Sequence, residues 1–207
     1  MVGSTLETCD KATSQLEKIN LVEREFHNIE STRLLLRRFK EVDIDSFYGY
    51  RSDPEVEKYQ GWGEFTLDDC RLFVAAVKDS NPGKPGDRSQ MAIELTKTSA
   101  MIGDLYFHVF NDDSQQAEIG YSLARQYQGH GYATEAVKTL LEYAFGTLRL
   151  HRITAGVDSD NVRSIALLER IGMRREGHLV QNGWFRGRWT DEYQYAILRD
   201  EWLNSDR

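Results

Sequence analysis

Apolar positions give the first picture of this chain. Tyr132, Ala136, Val137, Leu140, Leu141, Ala144, Phe145 and Leu148 recur at helical spacing, while Glu135, Lys138, Thr139 and Glu142 fall between them. The pattern predicts a long amphipathic helix with one face in a core and the other in water. Leu6, Cys9, Ala12, Leu16, Ile19, Val22 and Phe26 make a second stripe, which predicts a helix over 5–26. Its apolar side must bury against the main domain or against a second subunit. Helical spacing also runs over 41–58, broken at Asp53-Pro54, and over 66–78. Thr66 and Asp69 stand there as a capping pair. Asn161 to Ile171 forms a short helix, and Gly172 is placed to end it in the left-handed conformation.

Extended segments run from Thr32 to Phe39, Gln90 to Thr96, Met101 to Phe110, Ala117 to Leu123, His151 to Val157 and Arg186 to Leu198. A turn at Lys97-Thr98-Ser99-Ala100 joins the second and third as a hairpin, and the fourth follows a short loop. Three antiparallel strands thus precede the long helix. Residues 81–87 hold two of the three prolines and form a loop too short to link domains. The element order is β, α, α, then β-β-β, then α-β-α-β.

Composition narrows the function classes. The 207 residues are 40% hydrophobic and 29% charged, as in a soluble globular chain with a real core. A net charge of -7 argues against broad binding to nucleic acid or to anionic membrane, and it suits a cationic substrate. Cys9 and Cys70 alone make neither a disulfide scaffold nor a cysteine-ligated metal site. The first residues carry Glu7, Asp10 and Lys11 and no apolar targeting run, so the cytoplasm is the expected compartment. His130, His151 and His178 show no metal-ligand spacing and read as surface or turn residues, and Asp112-Asp113 reads as a turn. Trp184, Phe185, Trp189 and Tyr193 either wall a substrate slot or pack on the sheet and core.

The candidate chemistry lies in Gln126-Tyr127-Gln128-Gly129-His130-Gly131-Tyr132-Ala133-Thr134-Glu135-Ala136, between a strand and the long helix. Gly129 and Gly131 let backbone come close to a ligand. The first amides of a helix lack internal carbonyl partners and sit at its positive end. Such a start suits a phosphate or pyrophosphate, whereas a plain turn is the alternative for a lone Gly-x-Gly. A dinucleotide-binding unit is the first rival, with Asp158 as its ribose-binding acid. Thr134 in place of a third glycine and the antiparallel strands before the turn both count against it. No Gly-Lys-Ser/Thr follows, so a Walker loop is absent.

Gln126-x-x-Gly129-x-Gly131 with Tyr132-Ala133-Thr134-Glu135-Ala136 resembles the coenzyme A pyrophosphate loop of the GCN5-related N-acetyltransferases (GNAT). Arg33-Leu34-x-Leu36-Arg37, Tyr59-x-x-Trp62, Ile102-Gly103, Glu118-Ile119-Gly120-Tyr121, Asn161-x-x-Ser164, Leu168-Glu169-x-x-Gly172-Met173, Glu176-Gly177 and Asp191-Glu192 follow in the expected order over 30–203. The set is most similar to the RimJ/RimL branch, which acetylates N termini of ribosomal proteins. The resemblance implies a GNAT fold of mixed α/β (α+β) class. That fold is a mostly antiparallel twisted sheet of about six to seven strands flanked by helices. It spans 29–207, after an N-terminal helical extension over 1–28.

It also implies acetyl-CoA as cofactor and an amine as acceptor. Backbone from Gln128 through Gly129, His130, Gly131, Tyr132 and Ala133 would take the pyrophosphate, with the Thr134 hydroxyl added and Gln126 beside it. Ser122, Leu123 and Ala124 would pair with the pantetheine arm, and Asn161 and Ser164 would border its sulfur end. Some members carry a tyrosine acid seven residues after the Asn and a glutamate base five residues before it. Leu168 and Gly156 stand there, which closes both assignments. Ser164 is left as the acid candidate, or else as a helix-start serine bonded to backbone. Glu118 is the base candidate, or else a solvated strand carboxylate.

At pH 7 a lysine amine is only ~0.04% neutral and an α-amine roughly 10%, so a site without an obvious strong base suits an α-amine. The expected function is acetyl transfer to a primary amine, foremost a protein N-terminal α-amine, or else a small-molecule amine. An acyl-CoA-binding module that has lost catalysis is the alternative. No direct nucleic-acid or membrane partner is expected, and the 5–26 helix makes a homodimer an open option.

Overall fold

The computed structural model describes residues 25–60, 62–111 and 115–204. The helix expected over 5–26 therefore falls almost wholly outside the described residues, as does the Asp112-Asp113 turn. Of that stripe only Phe26 is described outright as a core residue. It lies outside any helix, buried edge-on to Tyr143 with ring centroids 6.0 Å apart.

The chain opens with β1 (Ile29–Glu30) and β2 (Leu34–Arg38). Three short helices follow: α1 (Ile44–Arg51), α2 (Pro54–Glu57) and α3 (Leu67–Val77). Local chemistry sets their limits. The Asp53 carboxylate accepts from the Glu55 amide at 2.9 Å with Pro54 at the first helical position. At α3, Thr66 Oγ1 accepts from the Asp69 amide at 3.2 Å while the Asp69 carboxylate accepts from the Thr66 amide at 2.9 Å.

Then come β3 (Arg88–Leu95), β4 (Ala100–Val109) and β5 (Gln116–Leu123). The long helix α4 (Tyr132–Glu142) passes into a π-helical turn over Tyr143–Thr147. The apolar stripe predicts helix through Leu148. The regular part ends earlier, at a turn that contains Gly146, yet Leu148 and Leu150 remain buried. β6 (Arg152–Asp158), α5 (Val162–Arg170), β7 (Arg174–Phe185), β8 (Arg188–Leu198) and α6 (Arg199–Asn204) complete the domain.

All eight strands form one sheet in the order β1-β2-β3-β4-β5-β6-β8-β7. Every neighbouring pair is antiparallel except β5 with β6. Eight strands are one more than the upper end of the expected six to seven, and two of them, β1 and β7, are not among the extended segments read from the sequence. β1 is only a short addition, but β7 is long. It is an edge strand, exposed along almost its whole length, so no face is buried to impose alternation. Its ladder to β8 also shifts register twice, around Arg175/Gly177 and Leu179/Gly183.

The two sheet faces differ. One carries Leu105, Phe107, Ile119 and Ile153 against Val137, Leu140 and Leu141 of α4. The other buries Ala92 and Met101 under Phe47, Tyr50, Val56 and Val74 of α1 to α3. That second face also holds a buried ionic cluster. The Arg37 guanidinium donates to both Asp43 oxygens at 2.7 and 2.8 Å and to Glu94 at 2.5 Å. Nearby, Asp104 accepts from Tyr50, Gln90 and Arg51, the last at 2.9 Å. Among the described residues, no helix is long and apolar enough to cross a membrane.

Candidate active site

The site begins where β5 and β6 part. They pair only from Gln116↔Arg152 to Glu118↔Thr154. Beyond that, β5 continues to Leu123 bonded to β4, and β6 continues to Asp158 bonded to β8. The facing edges carry no ladder, so backbone groups of 119–123 that point towards β6 are left for another partner. Gly103 supports this edge from behind. A methyl group on it would lie 2.2 Å from the Ser122 carbonyl oxygen, so β4 and β5 approach this closely only with glycine there.

At the end of the gap the chain makes a short 3-10 turn over Arg125–Tyr127 and then enters α4 through two left-handed glycines. Gly129 has φ 79° and Gly131 φ 81°. No side chain caps α4, so the amides of Tyr132, Ala133 and Thr134 stay without a partner in the helix. The Gln128 side chain donates to the Leu123 carbonyl at 3.0 Å and fastens the turn to the gap.

Arginines flank this cradle. Arg33 donates to the His130 carbonyl at 3.1 Å and lies 4.5 Å from the centre of the Tyr132 ring. From α5, Arg163 reaches Gln128 Oε1 at 3.2 Å and Arg170 reaches Thr134 Oγ1 at 3.5 Å. Glu135, the one acid of the first turn, is held aside. Burial pushes its carboxyl up, but hydrogen bonds from Ser31 and Arg33 outweigh that and leave it below the usual glutamate range. Free amides, a helix N-terminus and three guanidinium groups form a donor set that fits a diphosphate.

A hydroxyl pair lies on the core face beside the gap. Asn161 caps α5 by accepting from the Ser164 amide at 3.2 Å. Ser164 Oγ lies 2.5 Å from the Tyr121 hydroxyl. Burial pushes that phenol up to about 12, with the hydrogen bond it shares with Ser164 opposing, so Tyr121 stays protonated.

The opposite face of the same gap is polar and acidic. Glu118 shares it with His108 and Arg88, to which its strand neighbours align it. Burial raises the Glu118 proton affinity, His108 and Arg88 lower it, and the Glu192 carboxylate raises it further. The β7–β8 hairpin closes one side. From its tip Arg186 pairs with Glu57 of α2 at 2.6 Å, while Trp184 and Trp189 meet at 5.2 Å.

Residues 33–174 match the family described as Acetyltransferase (GNAT) domain, which is most of the chain. The chain belongs to the GNAT acetyltransferases. An uncharacterized N-acetyltransferase of Bacillus subtilis, YnaD, is 37% identical over 175 residues, 84% of this chain and 99% of its own. The crystal structure of a GNAT-family acetyltransferase from Bacillus anthracis superimposes with TM-score 0.76 at 34% identity, covering 84% of this chain and 99% of that one. A spermidine N(1)-acetyltransferase of Vibrio cholerae is 33% identical over 104 residues, half of this chain and 60% of its own length.

Within this GNAT domain the expected residues fall in two groups. Ser122, Leu123 and Ala124 line the end of the gap, and residues 126–134 form the cradle beside it. Asn161 and Ser164 stand at the start of α5, with Asn161 turned to its own helix as a cap. Glu118 lies at the parting point, on the face opposite Ser164. Asp158 ends β6 and accepts from the Asp160 amide at 2.8 Å, a local turn role.

Trp184 and Trp189 are 62% and 55% exposed, so they belong to no core and touch each other across the hairpin. His178 pairs with Asp191 at 2.7 Å on the surface. Arg33, Arg163, Arg170 and Tyr121 are not singled out by the sequence as site residues, and Glu192 is read there only with Asp191, as a pair that could draw a cationic substrate or else an exposed strand entry. Arg163 and Arg170 lie seven positions apart on α5, a spacing that marks one helical face, but only tertiary contact shows that this face meets the cradle.

Proposed function

We propose that this protein is an acetyl-CoA-dependent N-acetyltransferase of the RimJ/RimL type. Its proposed acceptor is a primary amine, foremost the α-amine of a protein N terminus. The observation that carries the reading is the parted β5–β6 edge. It runs from a diphosphate-fitting cradle to a point with a hydroxyl pair on one side and a carboxylate on the other. A catalytically inert acyl-CoA-binding module has no need of that second half.

In this reading the amides of Gln128 to Ala133 and the Thr134 hydroxyl hold the pyrophosphate, with Gln126 beside them and Arg33, Arg163 and Arg170 adding charge. The free edge of 119–124 pairs with the pantetheine arm, and Asn161 borders it. Acetyl-CoA supplies a thioester carbonyl open to an amine nitrogen and a thiolate as leaving group. A backbone amide on the free edge holds the developing oxyanion, a contact worth about 3–4 kcal/mol where one such donor is removed. Ser164 donates a proton to the sulfur, and the neutral Tyr121 phenol donates in turn to Ser164 Oγ. Glu118 takes the proton that the amine gives up. Its raised proton affinity suits it to a general base working near neutral pH.

The acceptor end is acidic, with Glu118 and Glu192 on one face, so it attracts a cation. An α-amine meets that requirement while remaining roughly 10% neutral at pH 7. A polyamine is the second reading, favoured by this acidity and by the spermidine N(1)-acetyltransferase relative. The test is acetyl-CoA turnover against a panel of N-terminal peptides, their α-blocked lysine analogues and spermidine, with the acetylated nitrogen located by mass spectrometry. Acetyl on α-nitrogens supports the first reading. Acetyl confined to spermidine replaces it with the second, and thiol release with none of them rejects both.

A further inference from the structure

Gly156 is an exposed glycine in the middle of β6, with no left-handed backbone to require it. The reason lies on β8. A methyl group built on Gly156 would stand 2.6 Å from Oε1 and 3.1 Å from Cδ of Glu192. The Glu192 carboxylate therefore occupies the space that any side chain at 156 would need. In register, Glu192 pairs with Asp158 and Gln194 with Gly156, so the carboxylate leans along the ladder towards the point where β5 and β6 part. Two amides hold it there. Asn182 Nδ2 donates to Oε2 at 3.2 Å, and Gln194 Nε2 donates to Oε1 at 3.3 Å.

The face is shared with Glu118, because Glu118 pairs with Thr154 and Thr154 precedes Gly156 by two residues on the same side of β6. We propose that Glu192 is the second half of a carboxylate pair with Glu118, and that this pair takes up the proton released by the acceptor amine. The proposal rests on the N-acetyltransferase reading. It assigns the role of a β6 carboxylate, absent at Gly156, to a side chain delivered from the neighbouring strand.

The proton balance is simple. The amine nitrogen forms the new C–N bond as the C–S bond breaks, the sulfur gains a proton relayed through Ser164 and restored from solvent, and the nitrogen loses one to the pair, which returns it to solvent. Carboxylates that share one face and feel each other's charge do not ionise independently, and the charge on one raises the proton affinity of the other. Glu192 does this to Glu118. The other charged or titratable groups on the face are Arg88 of β3, Tyr106 and His108 of β4, and Arg152 and Asp158 of β6, with Arg152 paired to Glu176 of β7. Next to Glu192 itself, β7 places the neutral Asn182.

The experiment compares wild type, Glu192→Gln and the exchange variant Glu192→Ala/Gly156→Glu, after equal melting temperatures and equal acetyl-CoA affinities have been established. Glu192→Gln is expected to lower kcat about tenfold to a hundredfold. It is also expected to move the acid limb of the kcat/KM profile to lower pH, because Glu118 loses a neighbouring negative charge. The exchange variant restores most of the lost rate by supplying the carboxylate from β6. An unchanged kcat with an unmoved acid limb overturns the proposal.

Should wild type acetylate no amine, the enzyme reading falls first, and the pair is judged by carboxyl carbon NMR. A Glu118 titration midpoint that drops in Glu192→Gln supports the pair, and one that stays in place overturns it.

Discussion

The Tyr121 hydroxyl lies 2.5 Å from Ser164 Oγ, joining strand β5 to the first turn of α5 beside the parted β5–β6 edge. Ser164 is thereby more than a capping residue, since Asn161 already serves its amide. The position that would hold a tyrosine on α5 is Leu168; in the proposed mechanism a tyrosine from the strand takes that part, acting through the serine.

Removing either hydroxyl tests this arrangement. General-acid groups contribute about 10²–10⁴-fold, but a thiolate is a tolerable leaving group, so Ser164→Ala is expected near the lower end. Tyr121→Phe keeps the Ser164 hydroxyl and is expected to cost about tenfold in kcat. Both variants should bind acetyl-CoA as wild type does. Steady-state kinetics with a fixed amine, beside calorimetric binding, separates the two effects. A loss of affinity at unchanged kcat would assign the pair to cofactor packing alone.

The left-handed turn at Gly131 makes a second prediction. Alanine at φ 81° is strained by roughly 1–2 kcal/mol. Gly131→Ala should therefore lower the melting temperature by a few degrees and weaken acetyl-CoA binding about tenfold, because the amides of the first α4 turn rotate with it. No neighbour crowds this position except Arg33 Nη2 at 3.5 Å, so strain and not collision is the cause. Thermal melts with and without acetyl-CoA check both halves.

Glu118 couples activity to stability with opposite signs. Its folded-state proton affinity lies above the ordinary glutamate value, chiefly through burial. A carboxyl raised in this way favours the folded state at acid pH, and that contribution is lost as pH rises from the unfolded value through the folded one. At neutral pH the ionised Glu118 is thus a cost to folding. Glu118→Gln should melt no lower than wild type at pH 7, and higher if the cost is large, while turnover falls. A clear drop in melting temperature would mean that Glu118 holds the fold together and does not serve the reaction.

The fold was largely legible because most of its elements bury one face. The stripe of Val137, Leu140 and Leu141, the Thr66–Asp69 cap and the β3–β4–β5 meander all carry periodic or capping signals. β7 carries none. Arg174 to Phe185 is an exposed edge strand, held by its ladder to β8 and not by a buried side. The glycine loop was legible because a left-handed helix entry needs glycine. Tyr121 and the flanking Arg163 and Arg170 were not, since their placement depends on contacts between distant segments, and Glu192 was legible only as half of an acidic pair able to draw a cation. Glu192 meets Gly156 only through the β6–β8 ladder.

Away from the chemistry, the buried Arg37 cluster makes a stability prediction. Arg37 neutralises Asp43 and Glu94 in the second core, where both would otherwise lose their partner. Arg37→Ala should destabilise the domain by about 3–5 kcal/mol, as expected when one partner of a buried ion pair is removed. Chemical denaturation at pH 7 gives this value directly. A change below about 1 kcal/mol, the worth of an exposed pair, would show that the cluster is solvated.

The proposed function requires the cradle over 126–134 to present acetyl-CoA to an amine at the parted edge. Thiol release from acetyl-CoA, followed continuously with and without an N-terminal peptide or spermidine, tests it most directly. The account predicts saturable, amine-dependent release that falls sharply in Gly131→Ala and in Ser164→Ala. Saturable acetyl-CoA binding with no release above the amine-free rate for any primary amine would contradict it, and would leave a module that binds the cofactor without using it.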